Sequence, residues 1–214
     1  MAWQEELCII SGDNRSWEQN NISKTVIELW CRSKTGHSVL LLVNGLRPYL
    51  EIFDPNTDSD SIKPTLSLDK LNFIKELHGQ PERIGNKLFE GEMKPFWRLY
   101  IKDTRYVRNV RERLMKIGWG VTSADILFVQ RLLLDCDLGP HIKVKGDILW
   151  AGDRAPENTK NNDNTDKKIA ESKIKDVGGA GIYPLDMIIS CRYQDLERAK
   201  PFATPFVVFS FDLE

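Results

Sequence analysis

From Pro48 onward the chain switches between strand and helix periodicity in one fixed order, and that order admits few folds. Pro48-Tyr49-Leu50-Glu51-Ile52-Phe53 reads as a strand closed by Asp54-Pro55-Asn56. Leu68, Leu71, Ile74 and Leu77 then predict a helix, which His78-Gly79-Gln80-Pro81 stops. A strand from Arg83 to Phe89, the turn Glu90-Gly91-Glu92 and a strand from Phe96 to Ile101 follow. Val107, Val110, Leu114 and Ile117 predict a second helix over 104–117; Gly118 ends it, and Trp119 to Thr122 supplies a last strand. The order is β-α-β-β-α-β. In its ferredoxin-like form, two helices cover one face of a four-stranded antiparallel sheet.

Strands flank this unit. Val26-Ile27-Glu28-Leu29-Trp30-Cys31 and Val39-Leu40-Leu41-Leu42-Val43 are apolar runs separated by Lys34-Thr35-Gly36, with Asn44-Gly45 as a further turn signal. An earlier strand is expected over 7–11, with the polar residues 12–23 as its loop. Asp125 is placed to cap a helix over 126–136, and 139–150 carries short strand-like runs. Residues 153–176 have almost nothing to bury and read as a polar linker or insertion. Order returns at Ile182, and Met187 to Cys191 looks like a strand. The fold class is therefore α+β and β-rich, divided as 1–150, a linker over 151–181, and strands over 182–214.

The chain has 214 residues, is 41% hydrophobic and carries a net charge of −1, which allows a real core and gives no global attraction to nucleic acid. It contains no run of about 18 apolar residues, so no membrane span is expected, and Met1 to Glu6 is too polar and acidic for a secretory signal. Cys8, Cys31, Cys136 and Cys191 are scattered, which suits buried thiols in a reducing compartment better than a zinc site. His37, His78 and His141 are isolated.

Two features carry chemistry. The run from Pro205 to Glu214 reads as a buried strand whose Asp212 and Glu214 emerge on one side, a half-site for hard divalent cations. Such a site needs further carboxylates, so the chain reads as a fragment cut where a second domain begins. The stretch from Arg105 to Lys116 is rich in arginine. It is either the wet face of a helix or a contact for a nucleic-acid backbone.

Phe211-Asp212-Leu213-Glu214 resembles the first exonuclease motif of family B DNA polymerases. Val26 to Trp30 leading to Arg47-Pro48-Tyr49 is similar to the first strands of the archaeal members. Trp97-Arg98-Leu99-Tyr100-Ile101 resembles their tryptophan-lysine-leucine-tyrosine strand, and Asp125-Ile126-Leu127-Phe128-Val129-Gln130-Arg131 their next helix start. Thr104 stands where that family has a proline, and its early tyrosine has no clear counterpart here.

The resemblance implies the N-terminal domain of a DNA-directed DNA polymerase of replication or repair, bound to single-stranded template and continued by the rest of the chain. It implies a uracil-capturing pocket built from Pro48, Tyr49, Val107, Arg111, Ile126, Phe128 and Arg131. Asp212 and Glu214 become ligands of Mg2+ or Mn2+ in a 3′→5′ exonuclease, and the 214 residues alone are expected to be inactive. A sliding clamp would be met through the missing part. The location would be cytoplasmic at an archaeal nucleoid, or nuclear in a eukaryote. Two alternatives stay open, a stand-alone RNA-recognition-like module and an inactivated polymerase paralogue. Read without the resemblance, Val107, Ile126 and Phe128 are ordinary core residues and the arginines a solvated face, since apolar residues at helical spacing usually pack a core.

Overall fold

The computed structural model describes residues 3–19, 22–55, 71, 74–152, 155 and 185–204. The chain divides into two compact units. The first is built from 1–15, 26–46 and 129–214, and the second from 16–25 and 47–128.

The strands β1 (Trp3–Gln19), β2 (Ile22–Ser33), β3 (Ser38–Asn44), β8 (His141–Ala151), β9 (Met187–Arg192) and β10 (Leu196–Arg198) form one sheet, which belongs to the first unit except for the part of β1 and β2 within 16–25. Its order is β1-β2-β3-β9-β8-β10, and β1 also pairs with β8, so the sheet closes on itself. β3 and β9 are parallel, with Val39 beside Met187 and Leu41 beside Ile189. β2 meets β3, and β8 meets β1, β9 and β10, in antiparallel register. Leu7, Ile27, Leu29, Leu41, Ile142, Val144 and Ile189 are buried on alternating positions. That is the inward set of a small barrel filled by side chains. β3 is buried at every position from Val39 to Val43, because it is paired on both edges and covered on both faces.

Two expectations change here. Residues 12–19 continue β1 instead of forming a loop. Two of the polar side chains find partners: Arg15 Nε lies 3.4 Å from Glu28 within this unit, and Ser16 donates to Asp103 at 2.6 Å within the other. Gly12 also belongs to a packed strand, since a Cβ there would meet Val129 at 2.8 Å and Leu29 at 2.9 Å. The helix expected from 126 is α2 (Phe128–Asp135).

The second unit holds β4 (Tyr49–Phe53), β5 (Glu82–Phe89), β6 (Glu92–Tyr100), α1 (Val107–Lys116) and β7 (Gly120–Thr122). The sheet order is β5-β6-β4-β7 and every recorded pair is antiparallel. β4 and β5 therefore run the same way with β6 between them. Glu90 and Gly91 take φ of 50° and 86°, the left-handed pair that a tight two-residue hairpin turn requires. A 3-10 turn at Thr104–Tyr106, capped by Asp103, opens α1, and Gly118 at φ 86° closes it with its N–H on Met115 O.

The helix expected over 68–77 is not found in its described part. Ile74 N–H bonds to Leu71 O and Leu77 N–H to Ile74 O, and Leu77 forms a bridge to Ile101. The apolar spacing there is three, not 3.6, which suits successive i to i−3 turns and still buries Leu71 and Ile74. Leu68, most of the 151–181 linker and the strand with Asp212 and Glu214 lie outside the described residues.

Candidate nucleic-acid interface

Strand alternation splits the second unit's sheet into two chemically different faces. Leu50, Ile52, Trp97 and Leu99 join Val110 and Leu114 of α1 in one apolar cluster. The other face carries Tyr49, Glu51, Phe53, Phe96, Arg98 and Tyr100. Phe53 packs on Phe89 and Phe96, with ring centroids 4.5 and 4.9 Å apart. The Arg98 guanidinium sits 4.0 Å from the centre of the Tyr49 ring, and Tyr100 meets that ring edge-on at 6.0 Å.

Glu51 organises this face. Its carboxylate is buried, accepts from Lys87 Nζ at 2.6 Å, from Arg98 Nη2 at 3.3 Å and from Ser123 Oγ at 3.4 Å. Burial pushes the Glu51 carboxyl up, but the hydrogen bonds and charges of Lys87 and then Arg98 outweigh it and hold it below the usual glutamate value. Burial also raises the Tyr100 phenol, with a further push from Glu82, to which its hydroxyl donates at 2.8 Å.

The residues expected to capture a base fall as follows. Pro48 is buried and its carbonyl accepts from Ile101 N–H at 2.8 Å. Tyr49 lies on the Arg98 face. Val107, the first residue of α1, packs partly buried against the apolar cluster on the opposite face. Arg111 follows one turn later and pairs with Asp125 at 2.8 Å, next to the exposed Ile126. Phe128 is buried, and Arg131, a residue of the first unit, is buried and engaged. The geometry thus brings Val107, Arg111 and Asp125 together. It does not put the Tyr49 ring beside Val107, because neighbouring residues of β4 point to opposite faces.

The basic run of α1 is largely neutralised. Arg105 pairs with the fully buried Asp103, Arg108 with Glu112, Arg111 with Asp125, and Arg113 with Glu76 through two bonds of 3.1 Å. Arg108 is 89% exposed, and exposed pairs contribute only ~0.2–1 kcal/mol, which a phosphate can displace. Arg105 is different, since Asp103 also caps the helix start and binds Ser16.

All four cysteines are free. Burial pushes the Cys31 thiol far up and the Cys191 thiol up to about 12, so neither is a nucleophile at neutral pH. Iodoacetamide applied to the native protein is expected to leave Cys31 and Cys191 unmodified until denaturant is added. Labelling of either at the rate of an exposed thiol would contradict the buried placement. Among the described residues no group of three metal-ligating side chains occurs. No helix among them is long and apolar enough to cross a membrane.

No protein-family model and no curated protein matches the chain. A solved structure does. Over 94% of its length the chain is similar to the family B DNA polymerase of the hyperthermophilic archaeon Pyrobaculum calidifontis, with a TM-score of 0.55 and 14% identity. The chain spans 21% of that polymerase. The likeness is one of fold.

Proposed function

We propose that this chain is the N-terminal, template-binding part of a family B DNA polymerase acting in replication or repair, with the ferredoxin-like unit and the barrel as its two bodies. The observation that carries this reading is the likeness to one such polymerase along almost the whole chain. A small closed β-barrel is also an architecture used to bind single-stranded nucleic acid, although fold alone does not assign function. In this reading Val107, Arg111, Ile126 and Phe128 border the base-capturing site, with Pro48 as a further member. The weakly paired α1 arginines exchange their carboxylates for template phosphates. Asp212 and Glu214 offer the hard oxygen donors that suit Mg2+ or Mn2+, and such cations, when bound, activate water for proofreading. The 214 residues alone neither polymerise nor cleave.

The RNA-recognition alternative needs accessible rings on the sheet. Tyr49, Phe53 and Phe96 are only 6, 3 and 2% exposed, so the rings best placed for stacking are covered. The polymerase reading is favoured for that reason.

Fluorescence anisotropy with single strands that differ by one uracil or thymine tests the proposal. Affinity should fall with salt at a log–log slope of about −0.7 per phosphate contacted. The uracil strand should bind about tenfold tighter, and Phe128→Ala should remove that preference. Equal affinity for both strands defeats base capture. Absence of salt-dependent binding to either strand defeats the template-binding role.

A further inference from the structure

β9 and β10 follow the same edge of β8, but their ladders do not join. Asp147 pairs with Ser190 and Val144 with Leu196. Two residues of β8, Lys145 and Gly146, therefore lie opposite the five residues from Cys191 to Asp195. The surplus forms the 3-10 turn Tyr193–Asp195. At this break the barrel wall opens into a cavity of about 320 Å³, lined by Asn44, Lys145, Asp147, Ser190, Arg192 and Asp195 among others. The volume is at the lower end of ligand pockets and suits a nucleoside-sized group.

The lining has an unusual charge state. Lys145 and Asp147 are two residues apart on β8 and emerge on one side, both exposed. Among the described residues neither of them has an ion-pair partner, nor has the Arg192 guanidinium, in contrast to the paired arginines of α1. Among the described residues Asp195 accepts the backbone N–H of Arg192 alone, at 3.3 Å. The Asn44 amide nitrogen donates to Ser190 Oγ at 3.0 Å and Leu42 O at 3.3 Å, which fixes the amide and leaves its oxygen as an acceptor. A site with two uncommitted cations and two carboxylates is complementary neither to a simple anion nor to a metal ion. It asks for a ligand with a donor edge beside an acceptor edge.

Among nucleobases guanine has both in full. Its N1–H and N2–H2 groups form a two-donor edge that a carboxylate meets bidentately, and its O6 and N7 form the two-acceptor edge that arginine meets bidentately. We infer that this cavity binds a guanine base, with Asp147 on the N1–N2 edge, Arg192 on the O6–N7 edge and Lys145 on the attached phosphate. The site does not depend on the polymerase reading.

Calorimetric titration of the 214-residue protein with dGMP, dAMP, dCMP and dTMP tests it. The expected result is dGMP binding at least about tenfold tighter than the other three. Asp147→Asn should abolish that preference while leaving the weak, phosphate-driven binding common to all four. Arg192→Met should weaken dGMP about tenfold, and both variants should keep the wild-type circular dichroism because the two side chains are exposed. Guanosine should retain the preference without the phosphate. Comparing dGMP with a guanine-containing single strand tells whether the natural source is free nucleotide or strand. Four affinities within about twofold of one another, an unaffected Asp147→Asn variant, or no saturation by about 1 mM dGMP would each overturn the assignment. If dGMP binds selectively but single-stranded DNA does not, the polymerase reading falls and the guanine site stands. If DNA binds and the nucleotides are not distinguished, the reverse holds.

Discussion

Glu51→Ala is expected to cost about 2–3 kcal/mol of stability. The carboxylate is buried, while its two cationic partners differ: Lys87 is 44% exposed and Arg98 28%. Lys87 can turn to water when its acceptor is removed. Arg98 cannot do so freely, because it lies against Tyr49 and its Nε is already buried without a hydrogen-bond partner. The loss should therefore fall mostly on the β4–β6 pairing around Tyr49 and Tyr100. Loss of a fully buried pair costs ~3–5 kcal/mol, and the exposure of Lys87 places this case lower. The same group makes stability pH-dependent. Its folded value is held below the unfolded one, so its contribution is present above the ordinary glutamate range near pH ~4.3 and is lost as pH falls through the lower folded value. Urea unfolding of wild type and Glu51→Gln between about pH 6 and pH 3 measures this. The two stability curves should converge on acidification, and parallel curves would remove Glu51 from its assigned role.

Gly146→Val is the second large effect, expected at about 3 kcal/mol. A Cβ at this position would lie 2.6 Å from the backbone oxygen of Ser190, 2.9 Å from Ile189 Cγ2 and 3.2 Å from Cys191 Cβ. A backbone oxygen held in a ladder cannot move aside as a long side chain can, so β8 must part from β9. Gly139→Ala is the matched control, because its nearest neighbour is the flexible Arg198 Nε at 3.5 Å. Chemical denaturation should show a much lower midpoint for the first variant and little change for the second. Equal midpoints would mean that β8 and β9 are not packed this closely.

The individual strands were legible wherever burial is complete. Val39 to Val43 and Met187 to Cys191 are short apolar runs, and both are strands. Their parallel pairing was not legible, since local periodicity carries no information about a partner so distant in sequence. Residues 12–19 do not read as a strand in the sequence because a strand whose Arg15 and Ser16 are satisfied by Glu28 and Asp103 shows no apolar alternation. Leu71 and Ile74 are buried as their spacing implies, while the described residues from 74 to 77 form turns of three and no α-helix, which the strict spacing of three distinguishes.

The site divides in the same way. Val107 and Arg111 are one turn apart on a helix, as the spacing predicts. The resemblance groups Tyr49 with them, but its position in β4, one residue before the core-facing Leu50, sets it on the other face. Glu51 is a single acid in an apolar strand, and a burial charge cluster formed with Lys87 and Arg98 has no local signal. The cavity at Lys145 draws on three separate stretches of chain and depends on a ladder break visible only in the register.

The first unit has a further consequence for how the protein is made. Its β1, β2 and β3 leave the ribosome before β8 and β9, which emerge only after residues 47–128 of the other unit have been synthesised. Until then β3 has no partner on the edge that Met187 to Arg192 will occupy, and β1 waits for β8. Non-local pairing of this kind is slow, and open strand edges invite association between chains. The nascent polypeptide is therefore most vulnerable to aggregation while its barrel is half built.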